Sequence, residues 1–575
     1  MDSSRLPDPN EQAPDSDSSY VPPENDVEAT LVTIWSELLG LEMVGRHDHF
    51  FEIGGDSIVS IQVISRAREA GLQIEPKHVI DHPTIAELAQ VVLSVAGTDA
   101  EQGPVTGAVQ LAPIQRWFSE LDLAAPHHWN HAALWEANDH IDPGLVQEAF
   151  DHCLAHHDAL RGQFRRTEDQ WRLSFVSMDQ LPQVQSTVDL AALSASEQNQ
   201  YRERHIGEVQ AEFELDGGAL VRVVRFKQGA NQRDLWLLAV HHLLIDQFSW
   251  SVLLSDWHTA YHQLQDGRRV SLPAKTTSYQ QWSESLLELA ASSTLETELP
   301  FWLGTRATDG HPLSELRGDN PFPTEGTAQT WTLTFDERQT ELLLTDANRA
   351  YQTKIDDLLL TALAMSLCRS TGDTALSIGL EGHGRDSLTD GVDLSRTVGW
   401  CTAFYPVTLR MEVIDDLSAS IKSVKEQLRA VPNGGIGYGV LRYLQPDTTV
   451  RQALAAIPAP QILFNYLGQI RSDPIVSWLR PVPGAEPSSR DPANLKTHLL
   501  EINAAVRDGH LQVSWTSGHH AHQTGALQNL AGEFKTTLLA LVDHCVTAET
   551  GGFTPSDFPE AELSQEELDR LLDGL

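Results

Sequence analysis

Long apolar runs and paired cysteines are missing from this chain of 575 residues. No apolar run approaches the ~20 residues that a membrane-spanning helix needs, and the polar, acidic N-terminus is not typical of a signal peptide. The four cysteines, Cys153, Cys368, Cys401 and Cys545, form no C-x-x-C pair, so neither a zinc site nor a disulfide framework is indicated. We expect a cytoplasmic protein with free thiols, no metal and no membrane partner.

Basic residues are also scarce: 40 Lys and Arg stand against 80 Asp and Glu, which gives a formal net charge of −40. This charge argues against nucleic acid and against an anionic membrane surface as partners, and solubility is its simplest interpretation. Hydrophobic residues make up 41% of the chain, which is enough to build cores. The length exceeds that of one compact domain, so several units are expected.

The N-terminal part of the chain predicts a linker followed by a small helical bundle. Residues 1–20 are rich in Asp, Ser and Pro, which is typical of a flexible linker. Residues 21–97 show apolar positions at helical spacing, and Asn25 with Glu28 forms a predicted capping pair. The pattern indicates three or four helices, the last expected over 84–95.

Ser57 stands at a predicted helix start, directly after Gly54, Gly55 and Asp56. A catalytic serine normally needs a histidine base near it, whereas this one follows two glycines and an aspartate. A serine at a helix N-terminus after a glycine-rich loop suits chemical modification better than catalysis.

The remainder predicts a larger α/β region. A linker is expected over 98–108, two lobes over about 109–285 and 286–546, and a linker or docking helix over 547–575. Predicted elements are a buried strand over 235–240, a helix over 249–264, a helix over 355–370, a half-buried strand over 376–381 and a strand over 461–467.

His241 and His242 end the first of these strands, and Asp246 follows four residues later. Strand ends hold side chains rigidly at a cleft, and a histidine there can act as a general acid or base near neutral pH. The alternative is a pair of structural histidines. Adjacent strand residues face opposite sides, so the two rings cannot easily share a metal.

Two further strands carry polar groups near their ends. Glu381 lies in Leu380-Glu381-Gly382-His383-Gly384-Arg385, where the glycines allow close approach of backbone or substrate. Asn465 and Tyr466 lie in Phe464-Asn465-Tyr466-Leu467-Gly468, where packing roles are the alternative.

Taken together, these segments resemble a nonribosomal peptide synthetase fragment, a peptidyl carrier protein followed by an epimerization domain. Phe50 to Ile58 is similar to the carrier motif around the serine that receives 4′-phosphopantetheine. The other matching motifs, in family order, are Pro113 to Phe118, His127 to Asn130, His241 to Trp250, Glu381 to Arg385, Arg396 to Trp400, Pro432 to Gly439 and Phe464 to Gln469.

The resemblance implies a four-helix carrier bundle and a two-lobed α/β domain like chloramphenicol acetyltransferase. It implies 4′-phosphopantetheine on Ser57 and catalytic roles for His242 and Glu381, with Asn465 and Tyr466 lining the site. His241, Asp246 and Arg385 become structural at the site, with Asp246 and Arg385 expected to pair.

The expected partners are a phosphopantetheinyl transferase, an upstream adenylation domain and a downstream condensation domain. Arg5-Leu6-Pro7 resembles the end of that adenylation domain.

The implied activity is inversion of a carrier-bound aminoacyl or peptidyl group from L to D by proton removal and return, without a metal or redox cofactor. From the residue types we expect Glu381 to be the base toward one face and His242 the acid or a stabiliser of the enolate. Gln247 and Phe248 depart from the common motif, which puts the substrate range in question. The alternatives are a condensation domain that forms peptide bonds and a non-catalytic docking platform for the carrier.

Overall fold

The computed structural model describes residues 20–572 except 75, 95–99, 139–140, 169, 230–231, 306–322, 387, 389–390, 471–475, 483, 486, 519–523, 548–551, 559–560 and 562. Nearly all of the expected linker over 1–20, including Arg5-Leu6-Pro7, therefore lies outside the described residues. The chain divides into two compact units, Met1–Ala96 and Gly97–Leu575, called here the N-terminal unit and the C-terminal unit.

The N-terminal unit is a helical bundle with a short two-stranded ribbon. Its helices are α1 (Asp26–Leu39), α2 (Ser57–Glu69), α3 (Pro76–Asp81) and α4 (Ile85–Val91), and its strands are β1 (Leu72–Gln73) and β2 (Leu93–Ser94). The Asn25 side chain accepts a hydrogen bond from the Glu28 amide at 2.9 Å, which confirms the predicted cap. The last helix is shorter than expected, because the chain turns extended at Val92 to pair β2 with β1.

The C-terminal unit holds two lobes, and the N-lobe is built on a five-stranded sheet. Its strands, in sheet order, are β14 (Leu479–Pro481), β4 (Asn130–Ala137), β9 (Leu235–His241), β8 (Val221–Lys227) and β7 (Gln185–Asp189). A smaller sheet contains β3 (Gly107–Val109), β6 (Gln170–Phe175) and β5 (Gly162–Thr167). The helices here are α5 (Pro113–Glu120), α6 (Pro143–His156), α7 (Ala195–Ala211), α8 (Gln247–Gln265) and α9 (Tyr279–Ala291).

The C-lobe is built on a mixed six-stranded sheet. In sheet order its strands are β10 (Ala328–Thr334), β16 (His510–Gly518), β15 (Leu500–Arg507), β13 (Ile462–Ile470), β11 (Ala375–Gly382) and β12 (Ala403–Arg410). The helices are α10 (Leu299–Gly304), α11 (Glu337–Leu344), α12 (Asp346–Arg349), α13 (Ile355–Thr371), α14 (Leu417–Arg429), α15 (Ile436–Tyr443), α16 (Thr448–Ala455), α17 (Thr524–Thr547) and α18 (Gln565–Leu572).

Helix α13 forms the centre of the C-lobe core. It is apolar on nearly every side, and all its residues from Leu358 to Cys368 are buried. It packs on the sheet face that carries Leu376, Ile378 and Leu380. Because strand side chains alternate, Ser377, Gly379 and Glu381 lie on the opposite face.

Strand β14 is a crossover that the sequence pattern does not reveal. It belongs by position to the C-terminal half of the chain, yet it pairs antiparallel with β4 of the N-lobe. The two lobes therefore share a sheet edge as well as facing surfaces.

The C-terminal tail contacts the C-lobe. Lys425 on α14 is buried and forms an ion pair with Asp557, and Lys422 lies 3.4 Å from Asp569 on α18. None of the helices in the described part of the chain combines the length and the apolar composition needed to cross a bilayer.

Candidate active site

His242 lies just beyond β9, at the start of a short turn. Its amide donates to the Trp129 carbonyl at 2.8 Å, and Nδ1 lies 2.7 Å from the Ile245 carbonyl oxygen. A carbonyl only accepts, so Nδ1 carries the proton and Nε2 of the neutral ring holds a lone pair. Burial lowers the pKa of His242 to about 4. The ring is therefore neutral at pH 7 and offers a proton acceptor.

His241 is the last residue of β9 and is fully buried. Its Nε2 donates to the Pro126 carbonyl at 2.9 Å, and its Nδ1 accepts from the Leu243 amide at 3.2 Å. Burial lowers its pKa to about 3. With both nitrogens used inside the protein, His241 anchors the turn that presents His242.

His131 on β4 is a neighbour of His242 that sequence reasoning missed. The two ring centroids are 4.2 Å apart, and Nδ1 of His131 accepts from Trp250 Nε1 at 3.0 Å. Burial lowers the pKa of His131 well below its usual value, so this ring too is neutral. Its position directly after the His127 to Asn130 motif, at the start of β4, was the only signal available.

Glu381 lies near the end of β11 on the sheet face away from the core. Asn465 Nδ2 donates to its Oε2 at 2.8 Å, which joins β11 to its parallel neighbour β13. Glu381 is an exposed residue, yet many protein atoms lie around its carboxyl group and reduce the hydration of that group. The loss of hydration raises the pKa of Glu381 to about 7. The group can accept or donate a proton near neutral pH.

Tyr466 follows Asn465 but faces the other side of β13. Its ring packs against the C-lobe core, as alternation along a strand requires. The structure therefore brings Asn465 to Glu381 and directs Tyr466 elsewhere. Asn465 is not at a strand end, because β13 continues through an irregularity after Tyr466 to Ile470.

One aromatic wall connects the surroundings of His242 with those of Glu381. Trp400 stacks on His242 with centroids 4.2 Å apart. Trp117 lies 6.4 Å from Trp400 and 5.5 Å from Phe404. Phe404 is directly opposite Glu381 in the β11–β12 register, so the two side chains share a sheet face.

Arg490 is a half-buried cation whose charge acts on both groups. Its Nη1 lies 2.7 Å from Glu325 and 3.2 Å from Glu501, and its guanidinium carbon is 4.2 Å from the Trp129 ring centroid. Burial is the main cause of both pKa shifts, and the Arg490 charge opposes the rise of the pKa at Glu381 and adds to its fall at His242. Nothing local in the sequence marks this arginine.

Asp246 and Arg385 form the predicted pair. Arg385 Nη2 lies 2.9 Å from both carboxylate oxygens of Asp246, and both residues are buried. Phe248, one of the departures from the motif, covers the guanidinium with its ring centroid 4.3 Å away. Gln247 is the exposed first residue of α8.

Gly384 is the glycine that lets Arg385 reach this position. It has φ of +66°, and a Cβ there would lie 1.7 Å from the Cys401 carbonyl oxygen. No side chain fits, so the segment after β11 can pass this close to the Cys401 backbone only with glycine.

In the N-terminal unit, Ser57 is the first residue of α2. The Asp56 side chain caps that helix by accepting from the amides of Ile58 and Val59. Burial raises the pKa of Asp56 to about 6, and its Oδ2 has no hydrogen-bond partner among the described residues. The field of a helix N-terminus favours an attached phosphate, so this position fits a phosphopantetheine group.

Within the described part of the chain, one cluster has metal-like donors. Atoms of His156, His157 and Asp256 lie within 4.8 Å of one another. Asp256 is paired with both His157 and Arg396. The guanidinium supplies the positive charge that a metal ion would supply, so the cluster is an ion-pair network.

Comparison with known proteins identifies both units. Residues 105–564 match the family described as condensation domain, and residues 29–92 match the phosphopantetheine attachment site. The whole chain is 40% identical to part of a linear gramicidin synthase polypeptide of Brevibacillus parabrevis, covering 8% of it. It is 34% identical to part of tyrocidine synthase 2 from the same organism, covering 16%. The chain thus spans less than a fifth of either relative.

Solved structures show the same architecture. The epimerization domain from the third module of tyrocidine synthetase B matches with a TM-score of 0.69 and 32% identity, over 78% of this chain and 99% of that one. The starter condensation domain of rhizomide synthetase matches with a TM-score of 0.56 and 16% identity, over 76% and 97%. The second likeness shows the fold alone.

Proposed function

We propose that this chain, a member of the condensation-domain family of the nonribosomal peptide synthetases, epimerizes a carrier-bound aminoacyl or peptidyl group at Cα. Its phosphopantetheine carrier unit precedes the condensation-family domain in the sequence. The observation that supports this activity is the pairing of two proton-transfer groups, Glu381 and His242, along one aromatic wall. The 32% identity to a solved epimerization domain supports the same interpretation.

The carrier unit bears 4′-phosphopantetheine covalently, and we assign the attachment to Ser57 at the start of α2. The arm supplies a thioester, which makes the α-hydrogen of the attached amino acid more acidic than a free carboxylate does. This function requires three partners. They are a phosphopantetheinyl transferase that attaches the arm, and the adenylation and condensation domains of a synthetase.

Inversion needs one group to accept the α-proton and another to return a proton to the opposite face. Near pH 7 the neutral His242 offers Nε2 as the acceptor, and the partly protonated Glu381 offers a donor. After one inversion His242 carries the proton taken from the substrate and Glu381 is ionised. This is the arrangement that inversion of the product back to the substrate needs. The two groups therefore serve both directions with one shared proton.

This resting arrangement differs from the expectation based on residue types, in which Glu381 is the base and His242 the acid. The hydrogen bond from Nδ1 to Ile245 leaves Nε2 without a proton in the neutral ring. Protonated Glu381 with neutral His242, and ionised Glu381 with protonated His242, contain the same number of protons. Each of these two arrangements is therefore the starting state for one direction of the inversion.

Negative charge develops on the substrate carbonyl oxygen when the α-proton leaves, and it must be stabilised. Arg490 supplies a positive field that reaches both proton-transfer groups. Asn465 holds the Glu381 carboxyl group in place through its 2.8 Å hydrogen bond.

The test uses the full chain with Ser57 loaded with an α-deuterated L-aminoacyl-phosphopantetheine. The parent protein should release a mixture of L and D acid and lose deuterium to water. Glu381→Gln keeps the shape and an acceptor for Asn465 but cannot exchange a proton, so the rate of inversion should fall by about 10²–10⁴-fold. Glu288→Gln, an exposed position on α9, should behave like the parent.

Full epimerization by Glu381→Gln would refute the assignment and direct attention to His242. If the parent instead forms a peptide bond with an added acceptor amine and leaves the α-centre unchanged, the chain is a condensation enzyme. If neither reaction occurs with a verified thioester, the C-terminal unit is a docking platform.

A further inference from the structure

An apolar cavity lies beside the aromatic wall of the candidate site. About 380 Å³ of empty space, open solvent included, lies here between helices α5, α9 and α15 and the start of β12. Its lining includes Pro113, Trp117, Leu286, Ala403, Phe404 and Tyr443. Among the described residues that line it, none carries a carboxylate, an amine or a guanidinium group.

The cavity and the candidate site share parts of their walls. Trp117 and Phe404 belong to both, because Trp117 contacts Trp400 beside His242 and Phe404 lies opposite Glu381. Cys401, which also lines the cavity, donates its amide to Asp246 at 3.0 Å. One residue of the cavity wall is therefore held by the same aspartate that pairs with Arg385.

An amino acid bound by its thioester has a side chain that takes no part in inversion and needs a place in the site. We propose, on the basis of the proposed epimerase function, that this cavity receives that side chain and makes the domain selective for large, uncharged apolar amino acids. Apolar surface is removed from water favourably there. A charged side chain would lose hydration without gaining a partner.

Two residues allow the cavity volume to be changed in opposite directions. Ala403 is half-buried at the start of β12, and Ala403→Leu adds three carbon atoms to the lining. Leu286 on α9 is 4% exposed, and Leu286→Ala removes three carbon atoms. Ala192→Leu, at an exposed turn that does not line the cavity, makes the same change as Ala403→Leu and serves as the matched control.

The experiment measures single-turnover inversion by the full chain loaded in turn with L-alanyl, L-leucyl, L-phenylalanyl, L-aspartyl and L-lysyl phosphopantetheine. Mass spectrometry verifies each loading. In the parent, leucine and phenylalanine should be inverted at least about tenfold faster than alanine, which is the range that methylene groups contribute in an apolar pocket. Aspartate and lysine should be slowest.

Ala403→Leu should slow leucine and phenylalanine by about tenfold or more while leaving alanine within about twofold, and Leu286→Ala should raise the rate for phenylalanine relative to leucine. Ala192→Leu should reproduce the parent. Melting temperatures of the variants report whether each one folds, and the substrate series on the unaltered chain tests the proposal without any variant.

Inversion of all five substrates at similar rates, or preference for aspartate or lysine, would overturn the cavity assignment and leave the epimerase function standing. An equal loss for every substrate in Ala403→Leu with unchanged melting would also overturn it, because a side-chain pocket discriminates by size. Absence of inversion and of α-proton exchange for every substrate would overturn the proposed function and this inference together.

Discussion

Arg385 Nη2 lies 2.9 Å from both carboxylate oxygens of Asp246, and this contact joins the start of α8 in the N-lobe to the segment after β11 in the C-lobe. Nη1 of the same guanidinium donates to the carbonyls of Leu394 and Thr397. The carboxylate also accepts from the amides of Ser249 and Cys401. The pair is thus the centre of a buried network that holds the two lobes in one arrangement.

Removing Asp246 should therefore destabilise the protein. Asp246→Ala leaves the Arg385 charge buried without its partner and uncaps α8, so we expect a loss of roughly 3–5 kcal/mol and lower activity. Thermal unfolding measures the first effect and the inversion assay the second. Glu341→Ala, which breaks the exposed pair with Arg338, should leave melting nearly unchanged. Parental melting with lost activity in Asp246→Ala would instead assign Asp246 a direct part in the reaction.

Ser57 should be the residue that takes the phosphopantetheine group. Incubation with a phosphopantetheinyl transferase and coenzyme A should increase the mass of the parent but not that of Ser57→Ala. Ser60→Ala, one turn further along α2, keeps the modified residue and should gain the same mass. A mass gain in Ser57→Ala would place the arm on another side chain.

His242→Ala should block net inversion because one face then lacks its proton-transfer group. Glu381 remains, so α-deuterium should still wash out to water from the enantiomer whose α-hydrogen faces Glu381 and should be retained in the other enantiomer. We expect no interconversion of L and D substrate, with slower exchange from one of the two, measured by chiral analysis and mass spectrometry of the released acid. Complete inversion by His242→Ala would show that Glu381 works with a different partner.

The pH dependence of inversion separates the two arrangements of the shared proton. If Glu381 is the donor in the rate-limiting direction, the rate should fall as pH rises through about 7, where that carboxyl group ionises. If Glu381 is the acceptor, the rate should rise over the same range. This dependence is measured by single-turnover rates, started in turn from L and from D substrate. The measurements span roughly pH 5.5 to 8.5, the range in which histidine and raised carboxyl groups titrate. A flat profile in both directions would contradict a rate-limiting proton transfer at Glu381.

Glu381 should also make stability pH-dependent. Its pKa is raised in the folded state from 4.5 to about 7, so between these values the folded protein binds more protons than the unfolded chain. The contribution to stability is complete below pH 4.5 and is lost as the pH rises toward 7. Glu381→Gln should therefore melt at a higher temperature than the parent at pH 8 and at nearly the same temperature near pH 4.5. Parental melting at both pH values would show that the carboxylate is well hydrated.

Local patterns in the sequence were sufficient for the elements that carry the proton-transfer groups. The apolar run over 235–240 predicted β9, and the alternation over 376–381 predicted β11, which places Glu381 on the face opposite the core. The Asp246–Arg385 contact was also predicted, from the resemblance to a known family. Each of these features depends on residues that are close in sequence or belong to an extended motif.

Other parts of the site depend on distant segments meeting in space. Arg490 reaches the site from a loop and is held by Glu325, far away in the chain, so no periodicity marks it. His131 lies on β4, and only the β4–β9 pairing brings it to His242. The position of Tyr466, in contrast, follows from local sequence alone. Side chains alternate along β13, so Tyr466 and its neighbour Asn465 lie on opposite faces of the sheet.

The three residues of β14 have a practical consequence for recombining synthetases. A chimera that joins the first half of this domain to the second half of a relative would give β4 a foreign edge strand. It would also replace the contact between Trp129 and Arg490, because the residue at the position of Arg490 would come from the relative. We expect grafts to succeed when the C-terminal unit, Gly97–Leu575, is exchanged whole, and hybrid joints within it to yield misassembled protein.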